Sequence, residues 1–304
     1  MKALVVGYGS AGQRHARLLQ GLGCDTAVVS KRPIAHPQLF TDLDGALSAW
    51  QPGYVVIAGR TAEHRPALQR LAEAGFDGRV LIEKPLFERH APLPEHRFSH
   101  AAVAYNLRFH PLVRKLREAL GAETAVNALF IVGLYLPDWR PGTDYRESYS
   151  TRLAEGGGVL RDLSHEIDLA LWLLGPWQSL TGLGGHFSEL AGDSDDNYSL
   201  LLSTARCPSV SVHMNYLNRT PRREIEVNTR QHTFRVDFIA GTFAIDGAVA
   251  AHAAGAMDGT YLAEHQAMLD GNAADLCRLE EGLEVMAAID AAERASRDSL
   301  WVKR

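Results

Sequence analysis

Short apolar runs punctuate the first hundred residues: Ala3-Leu-Val-Val6, Thr26-Ala-Val-Val29, Tyr54-Val-Val-Ile57, Val80-Leu-Ile82 and Ala101-Ala-Val-Ala104. Stretches with helical spacing fill the gaps, at residues 11–22, 41–50 and 62–74. Uniformly apolar strands separated by helices are what βαβ units require, because a parallel sheet is covered on both faces. The pattern predicts a doubly wound, Rossmann-type α/β domain over residues 1–118. Gly23 and Gly75 stand where residues just past a helix end are expected, and Pro52 and Pro111 mark element boundaries.

After about residue 120 the period changes to two. Val210, Val212, Met214 and Tyr216 alternate with Ser209, Ser211, His213 and Asn215, and Phe234, Val236 and Phe238 alternate with Arg235 and Asp237. Strands with one apolar and one polar face predict a largely antiparallel open sheet covered by helices on one side, in an α+β domain over residues 119–304. The Ala/Glu/Leu-rich segment 261–297 reads as helix that is free to pack back on the first domain. The sheet's polar face is left for solvent or for another subunit, so a homo-oligomer, dimer or tetramer, through that face is expected.

At 304 residues, 46% hydrophobic and 22% charged, the chain has the length and balance of two globular domains. A formal net charge of −5 with no Lys/Arg block argues against nucleic-acid or anionic-lipid partners and favours small molecules. Cys24, Cys207 and Cys277 are scattered and show neither zinc nor disulfide spacing, so no metal is expected and a reducing cytoplasm fits. The run Ala3 to Gly7 is too short for a signal-peptide core and reads as the first strand. The longest later apolar stretch, at 169–174, is far below membrane-spanning length.

Chemistry begins at Gly7-Tyr-Gly9-Ser10-Ala11-Gly12, which follows the first strand and opens a helix. A dinucleotide needs a tight turn at the first glycine, close backbone approach at the second, helix-on-strand packing at the third, and helix N-terminal amides facing the pyrophosphate. An acid at the end of the second strand would hold a ribose 2′-hydroxyl, but this chain reads Ser30-Lys31-Arg32. A hydroxyl followed by two cations suits a 2′-phosphate, so NADP(H) is preferred and NAD(H) possible. The alternative is that Lys31 and Arg32 belong to a solvated loop. His64 and Glu83 are counted with the cofactor-binding candidates.

Glu83-Lys84-Pro85 follows the strand Val80–Ile82, at the carboxyl end where open α/β sheets bind ligands. Lys84 there can bind both cofactor and substrate oxygen, or it can be a surface lysine after a strand. In Gly156-Gly-Gly158-Val-Leu-Arg-Asp162-Leu-Ser-His165-Glu-Ile-Asp168-Leu-Ala-Leu-Trp172 the period is helical. It sets Leu163, Ile167, Ala170 and Leu174 on one side and Asp162, His165, Asp168 and Trp172 on the other. A carboxylate one turn before the histidine makes His165 a general acid/base candidate with Asp162 as orienter. A solvated face carrying an ordinary ion pair is the alternative.

Gly7-x-Gly9-x-x-Gly12, Glu83-Lys84-Pro85, Tyr105-Asn106-Leu-Arg108-Phe109-His110-Pro111 and the glycine-rich helix with Asp162, His165 and Asp168 resemble, in this order and at these distances, the glucose-fructose oxidoreductase, inositol dehydrogenase and MocA family. The resemblance covers essentially the whole chain. It implies a Rossmann domain plus a mixed-sheet domain, with Lys84 and His165 facing a nicotinamide across the interdomain cleft. It also implies oxidation or reduction of a sugar-like hydroxyl or carbonyl. Many relatives place the aspartate four residues before the histidine, whereas Asp162 is three before His165 and position 161 is arginine. Tyr105 and Asn106 match positions that line the cleft in similar proteins, or they close the first sheet.

Trp139-Arg140-Pro-Gly-Thr-Asp-Tyr145-Arg146-Glu-Ser-Tyr149 combines aromatic faces that stack on sugar rings with arginines suited to phosphate or carboxylate. Trp139, Tyr145, Arg146 and Asp168, with Tyr105 and Asn106, are therefore substrate-binding candidates for a sugar, sugar nucleotide or related polyol. Other functions stay open: redox-assisted hydrolysis or elimination with a retained cofactor, and a nonenzymatic dinucleotide sensor.

Overall fold

In the computed structural model, which describes every residue except 122, 141, 254 and 256, the first apolar run is the strand β1 (Lys2–Val6). It is followed by α1 (Ser10–Gly21), β2 (Asp25–Val29), β3 (Leu39–Phe40), α2 (Leu43–Trp50), β4 (Tyr54–Ile57), α3 (Thr61–Glu73), β5 (Arg79–Ile82) and β6 (His100–Val103). The strands lie in the order β6-β5-β4-β1-β2-β3 with every ladder parallel. Ala3–Val5, Tyr54–Ile57 and Val80–Ile82 are all at most 1% exposed, which is why these strands read as unbroken apolar runs. The order reverses between β1 and β4, and that switch point is where such sheets bind ligands. At two residues, β3 is too short to show a period.

Pro111 marks an element boundary as expected: α4 (Pro111–Leu120) has it at the first helical position, where its missing N–H costs nothing. The chain divides into one unit of Met1–Phe109 with Asp258–Leu283 and another of His110–Met257 with Glu284–Arg304. The border thus falls before the expected residue 118, because α4 buries Leu112, Val113, Leu116 and Leu120 within the second unit.

The second unit continues with β7 (Ala125–Tyr135), α5 (Val159–Asp162), α6 (His165–Leu174), β8 (Trp177–Gly185), β9 (Asn197–Thr204), β10 (Ser209–Asn215), β11 (Leu217–Thr229), β12 (Thr233–Asp237), β13 (Thr242–Ile245) and β14 (Ala248–His252). The segment expected as one helix over 261–297 is interrupted. It comprises α7 (Met257–Asp270), a turn at Gly271 with φ of 72°, β15 (Cys277–Arg278) and α8 (Leu279–Asp298), before β16 (Val302–Lys303). The short β15 adds an antiparallel edge beside β6 in the first sheet.

The second sheet has the order β14-β13-β12-β11-β7-β10-β9-β8-β16. Among the described residues β7 and β10 pair in parallel and the other neighbours antiparallel. Val210, Val212, Met214, Phe234 and Val236 point inward as the alternation predicts. α6 packs on β7 and β10, and α4 on β12 and β13. On the opposite face Leu183 and Leu201 stay exposed. Among the described residues no helix is long and apolar enough to cross a membrane.

Candidate functional site

In the first unit, two of the three loop glycines are required by packing and one is not. Gly7 has φ of 97°, and a Cβ there would lie 2.6 Å from the backbone of Gly59. A Cβ on Gly12 would overlap the Gly7 carbonyl and touch Val5, so α1 sits directly on β1. A Cβ on Gly9 would meet nothing within 4 Å. Gly9 caps α1, and the first intrahelical bond runs from Gln13 N–H to Gly9 C=O at 2.9 Å. The amides of Ser10, Ala11 and Gly12 therefore open at the helix start with no capping side chain, a cradle that fits a pyrophosphate.

Beside this loop, Ser30 follows β2 with its hydroxyl turned locally, donating to Arg32 C=O and accepting from Arg32 N–H, both at 3.1 Å. The exposed Arg32 guanidinium donates to the Tyr8 carbonyl of the glycine loop at 2.9 Å. Lys31 is exposed. The structure thus brings Arg32 to the loop itself.

Glu83 and His64 are both engaged by groups of the first unit. One Glu83 oxygen is 2.9 Å from His15 Nε2 and the other accepts from Lys84 N–H at 3.1 Å, so the carboxylate is engaged within the unit. His64 is buried between the carbonyls of Pro85, at 3.1 Å, and Gly59, at 3.3 Å. Burial lowers its pKa below the ordinary value, against the hydrogen bond to Pro85, and the neutral ring has a single N–H, which serves one of the two carbonyls at a time. Lys84 is half-buried and Lys84-Pro85 is a cis peptide. Tyr105 and Asn106 are each 1% exposed, and the Asn106 amide donates to Thr260 of α7. In this structure both side chains are buried within the first unit.

In the second unit the predicted single helix around His165 is two helices, α5 and α6, parted at Leu163 and Ser164. Helical periodicity therefore does not set the relation of Asp162 to His165. Nor is the polar side solvated: Asp162 and Asp168 are 3% and 1% exposed. Asp162 accepts from Tyr216 Oη at 2.6 Å and is bonded to Tyr149 as well. Burial first, and the Asp162 charge second, raise both phenols well above the usual tyrosine range. Asp162 thus anchors two neutral hydroxyls. His165 opens α6 and is half-buried.

Trp139 packs 6.0 Å from the Tyr216 ring, and Arg140 lies over both Trp139 and Tyr149. Tyr145 Oη accepts from Ala191 N–H at 3.2 Å. Arg146 is held at both ends by Asp144, at 2.9 Å and 2.7 Å, an exposed pair that an anionic ligand would have to displace. The cavity lined by Leu136, Trp139, Arg140, Thr143, Tyr145 and Ser148 has about 10 Å³, room for one water rather than a sugar ring. Sequence reasoning missed Tyr149 and Tyr216 as partners of Asp162, and His15, His265 and Tyr54 behind Glu83. The one available signal was His15 itself, three residues after Gly12 on the packing side of α1.

Residues 113–236 match the family model described as the GFO/IDH/MocA C-terminal domain. No curated protein matches the chain in sequence. Among solved structures, GenD2 from gentamicin A biosynthesis in complex with NAD is 21% identical with a TM-score of 0.83, covering 100% of this chain and 96% of that one. Levoglucosan dehydrogenase in complex with NADH is 16% identical with a TM-score of 0.84, covering 100% and 98%. The WlbA dehydrogenase from Bordetella pertussis, in complex with NADH and UDP-GlcNAcA, is 18% identical with a TM-score of 0.77, again covering 100% and 98%. At these identities the likeness is one of fold.

Proposed function

From the premise that residues 113–236 are a GFO/IDH/MocA C-terminal domain, we propose that the chain is a nicotinamide-dependent oxidoreductase of a sugar, sugar nucleotide or related polyol. The observation that carries this reading is the glycine loop. Gly7 and Gly12 are consumed by packing, while Gly9 leaves open space at an uncapped helix start on the switch point of the sheet. The ligands of the structural neighbours, NAD or NADH and in one case a nucleotide sugar, agree with it.

The Ser10, Ala11 and Gly12 amides hold the pyrophosphate. Arg32 and Lys31 meet a 2′-phosphate, which is the basis for preferring NADP(H) over NAD(H). A bound nicotinamide supplies the hydride donor or acceptor. Lys84 steadies the developing oxyanion by its charge, and His165 exchanges the hydroxyl proton. Asp162, with Tyr149 and Tyr216, shapes the ground on which His165 stands. The open face of the nine-stranded sheet, with Leu183 and Leu201 exposed, is the surface for a second copy of the chain.

Lys84→Ala and His165→Ala test the assignment. Each is expected to keep dinucleotide binding, read by fluorescence titration, and to lose about a hundredfold or more in kcat on the sugar identified by substrate screening. Full turnover in either variant refutes its role.

A further inference from the structure

Behind the Lys84 turn, four polar side chains of the first unit form a continuous chain in the core. Glu83 Oε1 is 2.9 Å from His15 Nε2, His15 Nδ1 is 2.8 Å from His265 Nε2, and His265 Nδ1 is 2.9 Å from Tyr54 Oη. Tyr54, His15 and His265 are fully buried and Glu83 is 8% exposed. The four come from the start of β4, from α1, from α7 and from the end of β5. Burying so many polar atoms costs more than an apolar filling of the same volume, so packing alone does not account for the cluster.

The protons admit one self-consistent arrangement with neutral rings. An ionised carboxylate only accepts, so His15 Nε2 donates to Glu83. The neutral His15 then accepts at Nδ1, which requires His265 Nε2 to donate. His265 Nδ1 in turn accepts from the Tyr54 hydroxyl. All three hydrogen bonds point toward Glu83, whose second oxygen takes the Lys84 N–H.

We propose that Tyr54, His265 and His15 form a one-way hydrogen-bond chain that fixes the Glu83 carboxylate and, through it, the backbone of Lys84 relative to helix α1. His15 is then a positioning residue for Lys84. The consequence for turnover rests on the function proposed above; the proton arrangement does not.

The electrostatic surroundings favour this state. Burial lowers the pKa of His265 well below the ordinary imidazole value. Burial first, and the Glu264 charge second, raise Tyr54 against the pull of Arg79. Burial also opposes ionisation of Glu83, but the His15 contact and the Lys84 charge prevail and hold its carboxyl below the usual value. Tyr261 meets His15 edge-on at 5.6 Å, with Arg14 over its outer face.

The test combines a spectrum with kinetics. In protein labelled with ¹⁵N-histidine, His15 and His265, assigned by His15→Gln and His265→Gln, are expected to be neutral with hydrogen on Nε2 near neutral pH. A cationic ring, or hydrogen on Nδ1 of either, overturns the chain. Gln at position 15 can donate to Glu83 and accept from His265, whereas Ala can do neither. His15→Ala is therefore expected to lower kcat about tenfold to a hundredfold with little change in dinucleotide affinity, and His15→Gln to recover most of it. Equal activity of the Ala and Gln variants overturns the positioning role. If the wild type turns over no sugar, the functional reading fails while the spectrum still decides the chain; if His15→Ala does not fold, the His15→Gln kinetics and the spectrum remain decisive.

Discussion

Arg223 grips Glu166 at both ends, Nε to Oε1 at 2.7 Å and Nη2 to Oε2 at 3.0 Å. Glu166 is the residue after His165, and its side chain is only 2% exposed. The pair therefore ties the first turn of α6 to β11 and sets the base from which His165 projects. Breaking one side takes both guanidinium bonds from a buried carboxylate, which costs far more than losing a surface ion pair. Arg223→Ala is expected to destabilise the protein by about 3 kcal/mol or more, read by urea denaturation. Replacing both residues, Glu166→Leu with Arg223→Met, should cost much less than the single change. A single-variant loss below about 1 kcal/mol would show that the pair is solvated.

The glycine loop gives a contrast between two one-methyl changes. Gly9 has φ of −78° and open space around a Cβ, so Gly9→Ala should leave the melting temperature nearly unchanged. If the loop holds a pyrophosphate as proposed, the new methyl stands in its path to the backbone, so dinucleotide affinity should fall about tenfold or more. Gly12→Ala drives a methyl into the Gly7 carbonyl and should instead destabilise the unit by about 1 to 3 kcal/mol. If both variants lose stability equally and bind alike, the division of labour between the glycines is wrong.

Much of this was legible in the sequence, for identifiable reasons. The strands of the first unit are buried on both faces, so they appeared as unbroken apolar runs, and the strands of the second alternate because one face is open. What stayed hidden came from contacts distant in sequence. Nothing local pairs His15 with His265, 250 positions away, or Tyr216 with Asp162. The break after α5 was hidden because Val159 to Leu174 keeps apolar residues at helical spacing across Leu163 and Ser164.

The proposed preference for NADP(H) rests on Arg32, whose guanidinium is parked on the Tyr8 carbonyl. That bond keeps the charge beside the loop without neutralising it, since a carbonyl is not an anion. Lys31→Ala combined with Arg32→Ala should weaken NADPH binding by about tenfold to a hundredfold while leaving NADH nearly unchanged. Isothermal titration with both nucleotides measures this, and equal losses for the two would remove the 2′-phosphate reading.

Asp195 offers a pH test of the second unit. Its carboxylate accepts from Leu160 N–H at 3.0 Å at the start of α5, but burial raises its pKa from 3.8 to about 6. The native state therefore holds this proton more tightly than the unfolded chain. Its contribution to stability is present below about pH 4 and is lost as pH rises through 6. Asp195→Asn keeps an acceptor for Leu160 and cannot ionise. Relative to the variant, the wild type should lose about 1 to 3 kcal/mol between pH 4.5 and 7.5, the range allowing for partial solvation. Urea denaturation of both proteins at the two pH values measures the difference, and parallel pH profiles would mean that Asp195 is ionised in the folded protein at no cost.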